Sequence, residues 1–182
     1  VKHDGHNMTG FVIFLCSESV IFLAFFAGYA VLKLTAPQWL PDGVEGLEVR
    51  MPLINSVVLV SSSFVAYLAE RYLHKGNLWG FRAVWLLTMA MGSYFVYGQY
   101  VEWSELTFSL GSGVFGGLFY LLTGFHGLHV ITGILLMGLM LARSFRPGNY
   151  DKGEMGVASV SLFWHFVDVI WIILFLLIYV WQ

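Results

Sequence analysis

The sequence predicts an all-α, polytopic membrane protein: a bundle of five transmembrane helices forming one domain over residues 1–182, N-terminus inside and C-terminus outside. Three observations carry this reading. Of the 182 residues, 58% are hydrophobic and 11% are charged, whereas soluble domains average about 25% charged residues. The apolar residues gather into five runs, each close to or beyond the ~20 residues that a helix needs to cross a bilayer. Finally, Lys and Arg are concentrated in alternate connections between the runs.

The first run, 8–34, holds "FVIFLCSESVIFLAFFAGYAVL". The connection after it, "KLTAPQWLPDGVEGLEVRMP", carries three of the four prolines and a cluster of acids, so it is no helix. The second run is 52–73, and "HKGN" then makes a tight turn into the third, 78–101. "EWSELTFSLGS" is a short link with a Gly/Ser stop before the fourth run, 113–142. The polar, Gly-rich "RSFRPGNYDKGEMG" precedes the fifth, 157–181. A β-barrel would show short alternating segments, and these runs are too long and too continuous for that. With the N-terminus inside, the inner set is Lys2, Arg71, Lys75, Arg82, Arg143, Arg146 and Lys152, against Lys33 and Arg50 outside. Seven against two sets the orientation by the positive-inside rule. Asp42, Glu45, Glu48, Glu102 and Glu105 fall outside, and Trp39, Trp79, Trp103 and Trp181 lie near run ends as interface anchors.

Some function classes drop out at once. The lone Cys16 permits neither an internal disulfide nor a cysteine-based metal site. A net charge of −2 gives no reason to expect a nucleic-acid partner. The polar start "VKHDGHNMTG" lacks the pattern of a secretory signal, and a chain that does not begin with Met is compatible with a short leader.

Ionisable groups inside the runs are the informative positions, because each is costly in lipid unless paired or neutral. They are Glu18 in the first run, His126 and His129 in the fourth, and His165 with Asp168 in the fifth. The spacing i, i+3 puts His126 and His129 on one helix face, with Gly133 a turn beyond and Gly124 and Gly127 beside them. That pair admits three readings: metal ligation, a proton relay with Glu18, or hydrogen bonds across helices. Two ligands do not make a metal site and no third is evident, so cross-helix bonding is favoured. In "FWHFVDVIW", His165 and Asp168 are also i, i+3 and are expected to bond locally as a clamp that fixes helix packing. Glu18 has no cation near it in sequence, and is expected to be protonated unless a histidine pairs with it. Glu18 and His126 are expected to lie within hydrogen-bond reach.

"FLCSESVIFLAFFAGY", "MPLINSVVLVSSS", "SYFVYGQYVEWSELTF", "GVFGGLFYLLTGFHGLHVITG" and "FWHFVDVIWIILFLLIY" follow one another in an order that resembles subunit III of the haem-copper terminal oxidases. The resemblance covers nearly the whole chain, and "TGFHGLHV" with "WHFVDVIW" is its most specific part. It is to the short, five-span bacterial form, matching spans three to seven of the larger members. The two leading spans have no counterpart, so it does not extend to a lipid cleft built between them and the rest. "GNYDKGEMGVASVSLFWHFVDVIW" is more similar to the cyanobacterial cytochrome c oxidases.

The resemblance implies an accessory, redox-inactive core subunit of an aa3-type oxidase that reduces O2 to water. It would support subunit I and proton uptake. Haem and copper would sit in subunits I and II, with none in this chain, and cytochrome c would act through subunit II. Glu18 matches the family's buried, carbodiimide-reactive carboxylate; His126 with His129, and His165 with Asp168, match its paired polar positions. Gln99 and Glu102 match a Q-x-x-E near the end of span three, and Arg143 matches a basic residue touching phospholipid headgroups. The implied location is a bacterial plasma membrane, or the thylakoid for a cyanobacterial chain. A quinol oxidase, a subunit-III-like component of a nitric-oxide reductase and, from another class, an independent proton or ion carrier are the other readings. The last lacks the inverted repeats that transporters use.

Overall fold

The computed structural model describes residues 3–40, 43, 48–145 and 155–181. Among these the chain is helix and turn without a strand: α1 (His3–Thr35), α2 (Arg50–His74), α3 (Leu78–Glu105), α4 (Val114–Ser144) and α5 (Met155–Phe175), which runs on into a π-helical turn at Leu176–Val180. Each apolar run became one helix, and the helices extend past the apolar runs at one or both ends. Polar residues such as those of "EWSE" continue α3 because backbone hydrogen bonding does not stop where lipid would. At 33 residues α1 is about 50 Å long, more than a hydrocarbon core of about 30 Å needs.

The turn between α2 and α3 shows how sequence ends one helix and starts the next. Gly76 has φ +77°, a left-handed conformation costly for other residues. Its N–H donates to Leu73 O and the Asn77 N–H to Tyr72 O, both at 3.0 Å, which closes the carbonyls of the last turn of α2. Asn77 Oδ1 then accepts from the Gly80 N–H at 3.0 Å and caps α3. A Cβ at Gly76 would meet nothing within 4 Å, so the cost of Gly76→Ala is conformational alone. We expect about 1 kcal/mol, read as a small drop in the detergent-solubilised unfolding midpoint.

Contacts between helix ends fix the alternation of direction. Asn55 near the start of α2 abuts Gly98 near the end of α3. Arg82 near the start of α3 donates to Ser144 O at the end of α4, and Tyr179 after α5 donates to Glu102 at the end of α3. Lys33 at the end of α1 lies 4.2 Å from the Trp181 ring. So α1, α3 and α5 run one way, α2 and α4 the other. Among the described cations, Arg71, Lys75, Arg82 and Arg143 share one end, and Lys33 and Arg50 the other. Lys2, Arg146, Lys152, Asp42 and Glu45 lie outside the described residues.

α5 is central, packing on α1, α2 and α4, while α3 fills the gap between α2 and α4. Burial is highest on α5 and lowest on α1. The outside is apolar, with Val20, Leu34, Phe64 and Leu135 all exposed. The inside mixes aromatic rings with Asn55, Ser56, Ser62, Thr88, Gln99, Thr123, His126, Ser161 and Asp168. Apolar outside and hydrogen-bonded inside is the pattern lipid imposes. Four helices are long and apolar enough to cross a membrane: Met8–Thr35 of α1, α2, α4, and Gly156–Val180 of α5. α3 is not among them, because its Tyr, Trp, Gly and Gln content lowers its hydropathy.

Close approach centres on Trp164. A Cβ at Gly92 on α3 would lie 2.6 Å from its ring, and one at Gly133 on α4 would lie 2.8 Å from it. The expected small-residue contact at Gly133 is therefore made, against an indole. Gly127, which the sequence placed in the same group, has nothing within 4 Å of a built Cβ.

Candidate functional site

The polar groups of the core form two layers. The first joins α1 to α4. Glu18 faces His129, with Oε2 and Nε2 2.8 Å apart. The other ring nitrogen, Nδ1, donates to Phe125 O one turn back at 2.8 Å. Phe22 and Phe125 pack against the imidazole, with ring centroids at 5.0 and 4.6 Å, and shield it from lipid.

Donor and acceptor rules limit how this pair is protonated. A carbonyl only accepts, so Nδ1 carries a hydrogen. If His129 is neutral, Nε2 is bare and Glu18 must be the carboxylic acid that donates to it. If Glu18 is ionised, His129 must be imidazolium. Of the other two combinations, neutral His129 with ionised Glu18 would set lone pair against lone pair at 2.8 Å, and imidazolium beside the carboxylic acid would leave a net charge in lipid. Either allowed state places one proton between the two atoms and leaves the pair without net charge, which is what a site in lipid tolerates.

His126 is elsewhere. The expectation that it pairs with Glu18 is corrected: its Nε2 donates to Val167 O on α5 at 3.0 Å, and Phe95 and Trp171 flank its fully buried ring. The spacing i, i+3 does put both histidines on one face, but they are offset by about a sixth of a turn. α1 meets one edge of that face and α5 the other.

The second layer joins α5 to α2. Trp164 Nε1 donates to Ser62 Oγ at 2.8 Å, and Trp171 Nε1 to Ser56 Oγ at 2.7 Å. Between them Asp168 bonds Ser63. The local His165–Asp168 clamp is corrected by this geometry: Asp168 reaches α2, and His165 Nε2 lies 3.3 Å from Ser161 Oγ on its own helix. Trp164, Asp168 and Trp171, spaced by four and three, lie on one helix face. Their partners Ser56, Ser62 and Ser63 were not singled out, although a serine-rich helix face in an apolar run is the available signal. Sequence reading counted Arg82 only as an inner cation; its Nη2 donates to Ser144 O at 2.5 Å and its guanidinium lies over Phe145 at 4.2 Å.

Gln99 and Glu102 do meet. Gln99 Nε2 is 3.5 Å from Glu102 Oε2, and Tyr179 donates to Oε1, which ties α3 to the turn after α5. Arg143 stands at the end of α4, with Nη1 3.9 Å from the Met140 sulfur. As to metal, His129 has both ring nitrogens engaged and His126 has one. No group of three or more His, Cys, Asp or Glu able to hold an ion occurs among the described residues.

Fold and site together define an integral membrane helical bundle whose buried polar groups join helices. The family model described as cytochrome c oxidase subunit III matches residues 2–182. Cytochrome c oxidase subunit 3 of Thermostichus vulcanus is 44% identical over 98% of this chain and 89% of its own length. That of Synechocystis sp. is 42% identical over 97% of this chain and 78% of its own. A probable cytochrome c oxidase subunit 3 of Nocardia farcinica is 37% identical over 93% and 85%. The chain belongs to the cytochrome c oxidase subunit III family, as an accessory component of an oxidoreductase complex.

Proposed function

We propose that this chain is the redox-inactive subunit III of a cytochrome c-driven aa3-type oxidase, crossing the membrane five times with its N-terminus inside. The fifth crossing is α3, which lies between two spanning helices and meets both of them along its length. The chain buttresses subunit I, and Arg143 at the inner end holds a phospholipid headgroup. The membrane is the bacterial plasma membrane or the thylakoid.

The single observation that carries the reading is the Glu18–His129 pair. Glu18 lies ten residues into the span that begins at Met8, about 15 Å deep. A proton held there between a carboxyl and an imidazole can pass between its two atoms without creating net charge. The pair also bridges α1 and α4, so it buffers a proton and fastens a helix at once. In this role it sustains proton uptake by the complex and protects the metal centres in subunit I from damage during turnover.

Two substitutions separate these jobs. In Glu18→Gln the amide N–H still donates to a neutral His129, so the complex is expected to assemble and start turnover normally. It is then expected to lose activity progressively during continuous O2 uptake, because the amide cannot give up a proton. Glu18→Ala leaves His129 Nε2 without a partner and is expected to cost about 1–3 kcal/mol of stability. Sustained wild-type turnover in the Gln variant would reduce the pair to a fastener.

A further inference from the structure

At the end of the bundle opposite Arg71 and Arg143, a cleft of about 540 Å³ opens between the start of α2 and the end of α3. Glu48, Asn55, Tyr94, Tyr97, Glu102 and Glu105 line it, and no Lys or Arg does. Glu102 is held by Tyr179 and Gln99. Glu48 stands near enough to Glu102 for their charges to repel. Glu48 and Glu105 are both exposed, and neither has an ion-pair or hydrogen-bond partner among the described residues. Arg50, two residues beyond Glu48, is not part of the lining.

Asn55 is the independent observation. It is 3% exposed, it lines the cleft, and its Oδ1 has no hydrogen-bond partner among the described residues. Gly98 makes room for it: a Cβ there would lie 2.4 Å from Asn55 Nδ2. A buried amide oxygen without a donor is costly, so the cleft is incomplete as it stands. Its open charged groups are two carboxylates, and beside them stand an amide carbonyl and the faces of two tyrosines, which attract cations. The complement is an organic cation with several N–H donors. The three carboxylates do not converge as an ion-holding group.

We infer that this cleft is a docking site for a basic side chain, a lysine ammonium or an arginine guanidinium, presented by a neighbouring subunit of the oxidase. The inference rests on the proposed function, since it needs a multi-subunit complex. Charge complementarity selects the occupant. The carboxylates at the rim attract the cation, the tyrosines stack on it, and the Asn55 amide satisfies an inner N–H.

The test uses the intact oxidase, purified through a tag on subunit I, with Glu48→Gln and Glu105→Gln combined in this chain. The retained fraction of the chain is measured while salt is raised, because exposed charge pairs are screened by salt. The wild type is expected to remain bound at low salt and to leave as salt rises. The double variant is expected to associate about tenfold more weakly at low salt, the size of one lost charge contact, with little further salt dependence. Glu48→Asp with Glu105→Asp keeps both charges and is expected to restore the wild-type profile, which separates charge from folding. Equal retention of wild type and the Gln variant at every salt concentration overturns the inference. So does a Gln variant that keeps all protein subunits but loses an aminolipid by native mass spectrometry, since the occupant is then lipid. Wild-type chain missing from the haem-bearing complex at low salt would defeat the oxidase reading itself, and this inference with it.

Discussion

Trp164→Ala is expected to lower stability by about 3–5 kcal/mol, the range for removing a buried aromatic side chain from a packed interior. The indole is fully buried and touches three helices besides its own contacts on α5. Its ring lies against the backbone of α3 at Gly92 and of α4 at Gly133, and its Nε1–H reaches Ser62 on α2. Helices in lipid gain nothing from hydrophobic exclusion between them, so they hold together by packing and by bonds of this sort. Removing the indole opens a cavity where α2, α3, α4 and α5 meet. Ser62 is not orphaned, because its hydroxyl also donates to Leu59 O. The loss is therefore mostly packing, and Trp164→Phe, which keeps much of the volume, is expected to cost about 1–3 kcal/mol. Thermal unfolding of the solubilised protein reads both. An Ala variant melting with the wild type would mean that the four helices do not meet on this ring.

Gly133→Ala makes the complementary case. In an exposed helix this substitution gains about 1 kcal/mol of helix propensity. Here the added Cβ would sit 2.8 Å from Trp164 Cε3 and 3.3 Å from Phe163 Cε1. The indole cannot move away, because its far edge already fills the space beside Gly92. The expected result is a net loss of about 1–3 kcal/mol from overpacking. The same substitution in a Trp164→Phe background is expected to cost less, because the smaller ring leaves room. That non-additivity marks direct contact. A stabilised Gly133→Ala single variant would place the helices farther apart than described.

How much of this could be read from the chain differs between levels. The five helices were legible because lipid leaves an apolar run few alternatives to a helix. Their ends were less so: α3 runs on to Glu105 because backbone hydrogen bonding does not stop where the apolar run does, and Glu102 is held there by Tyr179. The buried polar positions were also legible, since an ionisable residue in an apolar run has to find a partner. Which partner was not. Asp168 meets Ser63, 105 residues away, and His129 meets Glu18, 111 residues away. Both depend on how α1, α2, α4 and α5 rotate against one another. That rotation is decided by bulky and small residues such as Trp164, Gly92 and Gly133 acting together. Local spacing suggested His165–Asp168, and tertiary geometry overrode it. Family resemblance in "HGLH" and "WHFVD" pointed to His126, His129, His165 and Asp168 without assigning the bonds between them.

The most direct measurement is mild-detergent purification through a tag on this chain, followed by a visible spectrum and an O2-uptake assay with reduced cytochrome c and, separately, a quinol. The account predicts haem bands in the purified material and O2 uptake driven by cytochrome c. Haem-bearing material that consumes O2 with quinol alone would contradict the proposed electron donor. A haem-free chain recovered intact, from membranes whose oxidase activity stays with other fractions, would contradict the account as a whole.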